Sequence, residues 1–368
     1  MVTISPAVLQ TAFNPIILTT IASFGIVTSY LAYNHYHRVA DNSTVGTDFN
    51  TDSSSSIDTD SHEDTLNRYY PDIPIISHSD YTQDIPEAFD ARQEWPQCKE
   101  LIGKVWNQGS CQSCWAISAA SVMTDRICIQ SNGSSKPILS PQHLICSCTN
   151  CTRENFLKEQ AMQMCRGGDS ESAWEYWKQS GLVSGGDYGT NESCLPYLSP
   201  PCIHNPAQPR TGLDRCPRTI SPFKCPTTCN NSNNTFDAEK KYFGSEIYYV
   251  NNNTLDIQKE ILQFGSVQAK HVFERQKFLF YQNGLYKCSP TVDEKSEEHY
   301  IHSVKIIGWN KTEEKGEPYW LCVNSFGTEW GEQGLFRIPR GTNMCLVEDS
   351  VMGGTPSQDS QTTTTKSK

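Results

Sequence analysis

Basic residues are in the minority: 30 Lys and Arg stand against 41 Asp and Glu, a formal net charge of -11 over 368 residues. No basic stripe is available to a polyanion, so nucleic acid is not an expected partner. Strong charge is missing altogether from the first 36 residues, where Ile16 to Tyr33 form an apolar run about long enough to span a bilayer core. The run has neither a basic start nor a clear small-x-small cleavage site, so a signal peptide and an uncleaved membrane anchor fit it equally. Internal repeats are absent, which removes solenoids and propellers. Apolar side chains are scarce between residues 41 and 64, an acidic, Ser-rich stretch that cannot offset the entropy of ordering. The polar tail from Thr355 to Lys368 is expected to be disordered for the same reason.

Cysteine, by contrast, is plentiful. Sixteen are present, most of them between Cys98 and Cys229, a usage that implies an oxidising compartment. Eight Asn-x-Ser/Thr sequons agree, at Asn42, Asn132, Asn150, Asn191, Asn230, Asn233, Asn252 and Asn310. The secretory route follows, with a lysosomal, gut-lumenal or extracellular destination and, if residues 16–33 anchor the chain, a lumenal main domain. The expected organisation is a signal or anchor (1–36), a propeptide-like linker (37–84), one globular domain (85–354) and the tail (355–368).

Within the domain, the texture changes near residue 235 from helical and Cys-rich to strand-rich. Apolar residues at helical spacing predict a helix from Cys114 to about Ile129, and Ser140-Pro141 reads as an N-cap followed by a pre-set first turn. A third helix follows Ser170, carries Trp174 and Trp177 and stops at Gly181. Later, Asn283-Gly284 signals a hairpin, and SVKIIGW, PYWLCVN and GLFRIP read as strands.

The segment Asn107-Gln-Gly-Ser-Cys-Gln-Ser-Cys-Trp115 places Cys114 at a helix N-terminus, where backbone dipoles favour a thiolate. A useful sulfur nucleophile also needs a cationic partner. His302 is the best candidate, since it opens a strand able to hold an imidazole, although His299 lies only three residues upstream. Asn324 can fix the second ring nitrogen. The Gln108 amide and the Cys114 N–H can face a developing oxyanion.

In this order these residues resemble the papain family of cysteine proteases and, within it, the cathepsin B group. Ile85-Pro-Glu-Ala-Phe-Asp-Ala-Arg resembles the mature start, and Cys165-Arg-Gly-Gly168, Asn324-Ser325 and Trp330-Gly331 follow in the family's sequence. Asp125-Arg-Ile-Cys128, Gly181-Leu-Val-Ser-Gly-Gly186 and Pro200-Pro-Cys-Ile-His204 carry the cathepsin B likeness. The resemblance implies an α+β, papain-like two-lobed fold: a helical lobe (about 85–235, with an occluding-loop-like insertion at 194–229), an antiparallel β-barrel-like lobe (about 236–354), and a cleft between them. It implies hydrolysis of protein or peptide substrates through Cys114, His302, Asn324 and Gln108 by a monomer that needs no cofactor and no metal. Substrate contacts are implied at Gly167, Gly168, Trp330, His204 and Ser350. The implied disulfides are Cys98–Cys128, Cys111–Cys165, Cys146–Cys225, Cys148–Cys151, Cys194–Cys229 and Cys202–Cys216, with Cys288, Cys322 and Cys345 left unassigned.

The chain departs from the family at informative places. Gln112 replaces a glycine beside the nucleophile, and Tyr300 and Ile301 replace two glycines ahead of the histidine. This bulk predicts a narrowed substrate range or reduced activity. Phe326 stands for the usual Trp over the Asn–His bond. Ser350 stands where cathepsin B has a Glu at the base of the second subsite, so the family's tolerance of Arg there is not expected. In the insertion only His204 of two adjacent histidines is present, followed by Asn205; its expected acidic partner is Asn107, while the acid matching the lost histidine persists as Glu329. A weakly latched loop follows, with endopeptidase activity favoured over carboxydipeptidase activity. The competing readings are a catalytically weak homologue that binds peptides or partner proteins, a zinc knuckle at Cys146, Cys148 and Cys151, and a redox pair at Cys111 and Cys114. The knuckle lacks a matched ligand set and the redox pair lacks a βαβ context.

Overall fold

The computed structural model describes residues 72–151, 165–208, 212–217, 223–289 and 299–358. The apolar run at 16–33, the acidic stretch at 41–64 and most of the tail lie outside them. The chain divides into two compact units, Met1–Asp58 with Asp293–Tyr300 and Thr59–Val292 with Ile301–Lys368. The second unit contains everything described except His299 and Tyr300. Among the described residues no helix is long and apolar enough to cross a membrane.

Helices come first: α1 (Ala91–Glu94), α2 (Lys99–Ile102), α3 (Cys114–Gln130), α4 (Pro141–Ser147) and α5 (Ser170–Ser180). The expected cap at Ser140 is in place, whereas the third helix includes Ser170 and takes Asp169, which the sequence did not single out, as its N-cap. Ser140 Oγ accepts from the His143 N–H at 3.1 Å, and Asp169 Oδ1 accepts from the Ser172 N–H at 2.8 Å. Gly181 ends α5 with φ 68°, a conformation that disfavours side chains bearing a Cβ. Helix α3 is apolar or small around nearly its whole circumference and is buried throughout its middle, as a central helix must be. Trp174 and Trp177 pack into the same core.

The second half is one sheet: β3 (Gly244–Val250), β4 (Val267–Glu274), β5 (His299–Lys311), β6 (Pro318–Val323), β7 (Leu335–Pro339) and β8 (Val351–Pro356). Two short strands from the first half join it, β1 (Ile75–Ile76) and β2 (Phe89–Asp90). The order is β1-β3-β8-β4-β5-β6-β7, with β2 on β5. The pairs β3–β8, β4–β8, β5–β6, β6–β7 and β2–β5 are antiparallel, whereas β1 runs parallel to β3. The sheet is therefore mixed, because a segment preceding the domain adds itself to one end. Ile73 is buried beside that strand, the Ser77 hydroxyl donates to Asp256 Oδ2 (2.7 Å), and His78 Nε2 meets Glu260 Oε2 (2.6 Å). Helix α6 (Thr254–Phe264), which supplies both carboxylates, starts at Asn253, whose side chain accepts from the Asp256 N–H.

The hairpin expected at Asn283-Gly284 is instead a turn that follows the short helix α7 (Arg275–Leu279) and leads to a single parallel bridge, Leu285 to Arg337. Glu332 explains the difference: its Oε1 accepts from the Gly284 N–H and from the Tyr281 hydroxyl, which draws the turn onto β7. Strand β5 also begins three residues earlier than His302.

All six implied disulfides are formed, and Cys288–Cys345 is a seventh. Two cysteines are free, Cys114 and Cys322. Cys322 is fully enclosed and burial pushes its thiol up, so only Cys114 has the environment of a nucleophile.

Candidate active site

Cys114 is the first residue of α3, and its sulfur meets His302 from β5. Burial would push the Cys114 thiol up. The charge of the His302 imidazolium and its hydrogen bond, joined by the N–H groups of Ser303 and Trp115, outweigh that penalty and hold the thiol below its ordinary range.

His302 is buried, and its Nε2 lies 2.7 Å from Asn324 Oδ1. The same Oδ1 accepts from the Ser325 N–H at 2.7 Å, which identifies it as the oxygen. Nε2 therefore carries the hydrogen and Nδ1 faces the sulfur. Phe326 covers this bond with its ring 5.0 Å from that of His302, and Phe273 and Phe278 enclose the imidazole at 5.6 Å each. The milder substitute for the family's Trp thus still keeps water from the Asn–His bond.

Gln108 is held by its backbone, whose N–H donates to Ser325 O (2.8 Å), and by its side-chain oxygen, which accepts from Ser325 Oγ (2.6 Å). With Oε1 occupied, the amide N–H groups are the ones left for a substrate oxygen. In the sequence Ser325 stood out only as part of the Asn324-Ser325 motif, with no role of its own, yet it orients both Gln108 and Asn324. Its position directly after Asn324 was the available signal.

Gly167 and Gly168 are required for different reasons. Gly167 has φ 94°, and a Cβ there would meet only Gln112 Oε1 at 4.0 Å, so the constraint is conformational. Gly168 is spatial: a Cβ there would lie 2.2 Å from Trp115 Cε2. Gly168→Ala is expected to displace the Trp115 ring beside the nucleophile, costing about 1–3 kcal/mol as overpacking does and lowering kcat/KM. Denaturant unfolding together with peptide hydrolysis checks both effects.

Other expected contact residues sit differently. Trp330 is fully enclosed, with its Nε1–H donating to Phe278 O, so it supports Phe326 from below and offers no face to the cleft. His204 stacks flat on Phe326, with centroids 4.2 Å apart and planes at 9°. Its Nε2 has no partner among the described residues, and burial, followed by the charge of His302, lowers its pKa to about 3. Asn107 donates to Cys202 O (2.9 Å) and accepts from the N–H groups of Gly109 and Cys202, so the base of the insertion is latched by neutral bonds where an ion pair was lost. Glu329 is exposed and Asn205 is buried, with its Oδ1 on the Ala207 N–H. Ser350 accepts the Lys270 N–H at its carbonyl. Gln112 and Ile301 stand at the rim, Ile301 being 49% exposed.

Cys202, His204 and Cys216 bring possible metal-ligand atoms within 4.8 Å of one another. Both sulfurs are joined in a disulfide, which removes two of the three ligands. The zinc knuckle fails on the same ground, since Cys148 bonds Cys151 and Cys146 bonds Cys225. Cys111 pairs with Cys165, which leaves no redox partner for Cys114.

Residues 85–355 match the papain family of cysteine proteases. The chain is 39% identical over 287 residues to cathepsin B-like cysteine proteinase 6 of Caenorhabditis elegans, spanning 77% of this chain and 70% of that protein. It is 37% identical over 290 residues to a cathepsin B-like cysteine proteinase of Schistosoma japonicum, 76% of each. A solved procathepsin B of Trypanosoma congolense is similar with a TM-score of 0.60 and 28% identity, covering 78% of this chain and 83% of that one.

Proposed function

The chain belongs to the papain family of cysteine proteases, and from that premise we propose that it cleaves peptide bonds within protein substrates through Cys114, His302, Asn324 and Gln108. The Cys114 thiolate attacks the scissile carbonyl. The Gln108 amide and the Cys114 N–H stabilise the oxyanion, and the His302 imidazolium protonates the leaving amine. Water, deprotonated by the now neutral imidazole, then attacks the thioester and frees Cys114. Asn324 keeps the ring oriented through both steps. The observation that carries this reading is the single file of Cys114, His302 and Asn324 Oδ1, with Nε2 committed to the asparagine and Nδ1 left for the sulfur. Labelling with an epoxysuccinyl thiol inhibitor tests it. Stoichiometric modification of Cys114, absent from Cys114→Ala, supports a reactive thiolate; an inert Cys114 in folded protein at pH 5 to 7 supports a peptide-binding homologue instead.

Endopeptidase action is favoured over removal of C-terminal dipeptides. A histidine receives a terminal carboxylate best as a cation, and burial, followed by the charge of His302, holds the His204 pKa down at about 3. Asn205 is neutral at every pH. A peptide with a free C-terminus is therefore expected to be cleaved no faster than its amide between pH 4 and 7. A large preference for the free acid would overturn this specificity.

A further inference from the structure

One wall beside the nucleophile is built from polar and charged groups. Ser303, the residue after His302, gives its N–H to Cys114, and its hydroxyl lies 3.4 Å from that of Ser170. The Gln268 amide nitrogen donates to Ser170 Oγ (3.1 Å), to Trp115 O (3.0 Å) and to Ser118 Oγ (2.7 Å). Gln268 is thereby fixed directly behind the first turn of α3. Lys270 is two residues further along β4, hence on the same face of the strand. Its N–H donates to Ser350 O at 3.4 Å, and its ammonium donates to Glu171 Oε2 at 2.6 Å. Glu171 follows Ser170 at the start of α5.

The two members of this ion pair differ in access. The Glu171 side chain is 1% exposed, and both its oxygens are engaged by Lys270, with Tyr249 adding a hydroxyl donor to Oε1. Lys270 is 28% exposed and has a third N–H beyond the two given to Glu171. Of this pair the cation, not the anion, is the member open to an entering side chain, although the Asp169 carboxylate at the start of α5 lies close enough to act on Glu171. Ser350 contributes no charge.

Resting on the peptidase reading, we propose that Lys270, held in place by Glu171, is a specificity-determining residue that selects a carboxylate side chain on the substrate residue immediately before the one whose carbonyl is attacked. An Asp or Glu there gains a charge-assisted hydrogen bond in a partly desolvated site, whereas an Arg or Lys faces a like charge. This inverts the basic tolerance that a Glu at the Ser350 position would give.

The test uses four fluorogenic peptides that differ only at that residue, carrying Glu, Gln, Leu or Arg. The expected kcat/KM for Glu exceeds that for Arg by about tenfold or more, and the ratio shrinks as salt is raised. Lys270→Met is expected to abolish the ratio, and Lys270→Arg to keep it. The double variant Lys270→Met/Glu171→Gln avoids an unpaired buried carboxylate and should behave as Lys270→Met does. Arg or Leu preferred over Glu by the parent, or a Glu/Arg ratio unmoved in both methionine variants, would overturn the proposal. Epoxysuccinyl labelling of Cys114 in each protein separates the causes. Normal labelling with the wrong ratio sinks only this selectivity, whereas an unlabelled, inactive parent sinks the peptidase reading as well.

Discussion

Replacing Cys114 by alanine is expected to leave folding intact and to lower peptide hydrolysis by roughly 10^6-fold, the scale at which a covalent nucleophile is lost. His302→Ala should cost nearly as much, and the double variant little more, because sulfur and imidazole act as one unit. Steady-state kinetics and circular dichroism on the same preparations check both halves of the expectation. The pH profile carries a sign. Cys114 is held below the ordinary thiol range, so the thiolate is present above that lowered value and is lost as the pH falls through it. The acid limb of kcat/KM should therefore lie below the pKa of about 8.5 of a free cysteine. Removing the cation through His302→Gln should move thiol reactivity towards alkaline pH, measurable as the rate of iodoacetamide alkylation.

Lys305→Met is expected to destabilise the domain by about 3–5 kcal/mol. Two buried ion pairs leave α3 side by side. Asp125 reaches Lys305 Nζ on β5 at 2.8 Å, and Arg126 reaches Glu260 on α6 at 2.7 Å. Each is enmeshed further: Ser266 Oγ donates to Asp125, while Arg126 also donates to Ser266 O, Gly354 O and the Tyr248 hydroxyl. Removing the lysine leaves Asp125 enclosed and unpaired. Asp125→Leu added to Lys305→Met should restore most of the loss, since burial rather than attraction sets the cost. Guanidinium unfolding with the disulfides intact reads both changes. The second pair makes stability pH-dependent. Burial would raise the Glu260 carboxyl, but Arg126 and His78 hold it below the usual range. Its contribution is present above the unfolded value of about 4.3 and disappears as the pH falls through the lowered folded value.

The chemistry of the site was legible because it is written in local signals. A sulfur at the start of an apolar helix, a histidine in a strand and an asparagine in a later one each need only their own neighbours in the chain to be noticed. Ser140-Pro141 and Gly181 worked for the same reason, since a cap is a contact between residues three or four apart. What remained hidden depends on distance. Cys288 and Cys345 are 57 residues apart and meet only through the fold of the sheet. Asn283-Gly284 has the local form of a hairpin, but Glu332, far along the chain, competes for its backbone. Asp125 and Arg126 stood out only as part of a motif, because nothing nearby tells that their partners are on β5 and α6. Lys270 had a faint signal of its own, the one Lys or Arg in the run from Val267 to Phe273, but its meaning rests on Glu171, 99 residues earlier.

Strand β1 bears on what a cut near Ile85, where the likeness to the family's mature start falls, would do. Pro74 O and Ile76 O accept the N–H groups of Tyr249 and Asn251, and the His78 N–H adds a bond to Asp256. A cut near Ile85 would sever the peptide link to these residues without undoing any of those bonds. The upstream piece would then become a ligand of the enzyme it came from, retained by affinity instead of connectivity and shed on dilution.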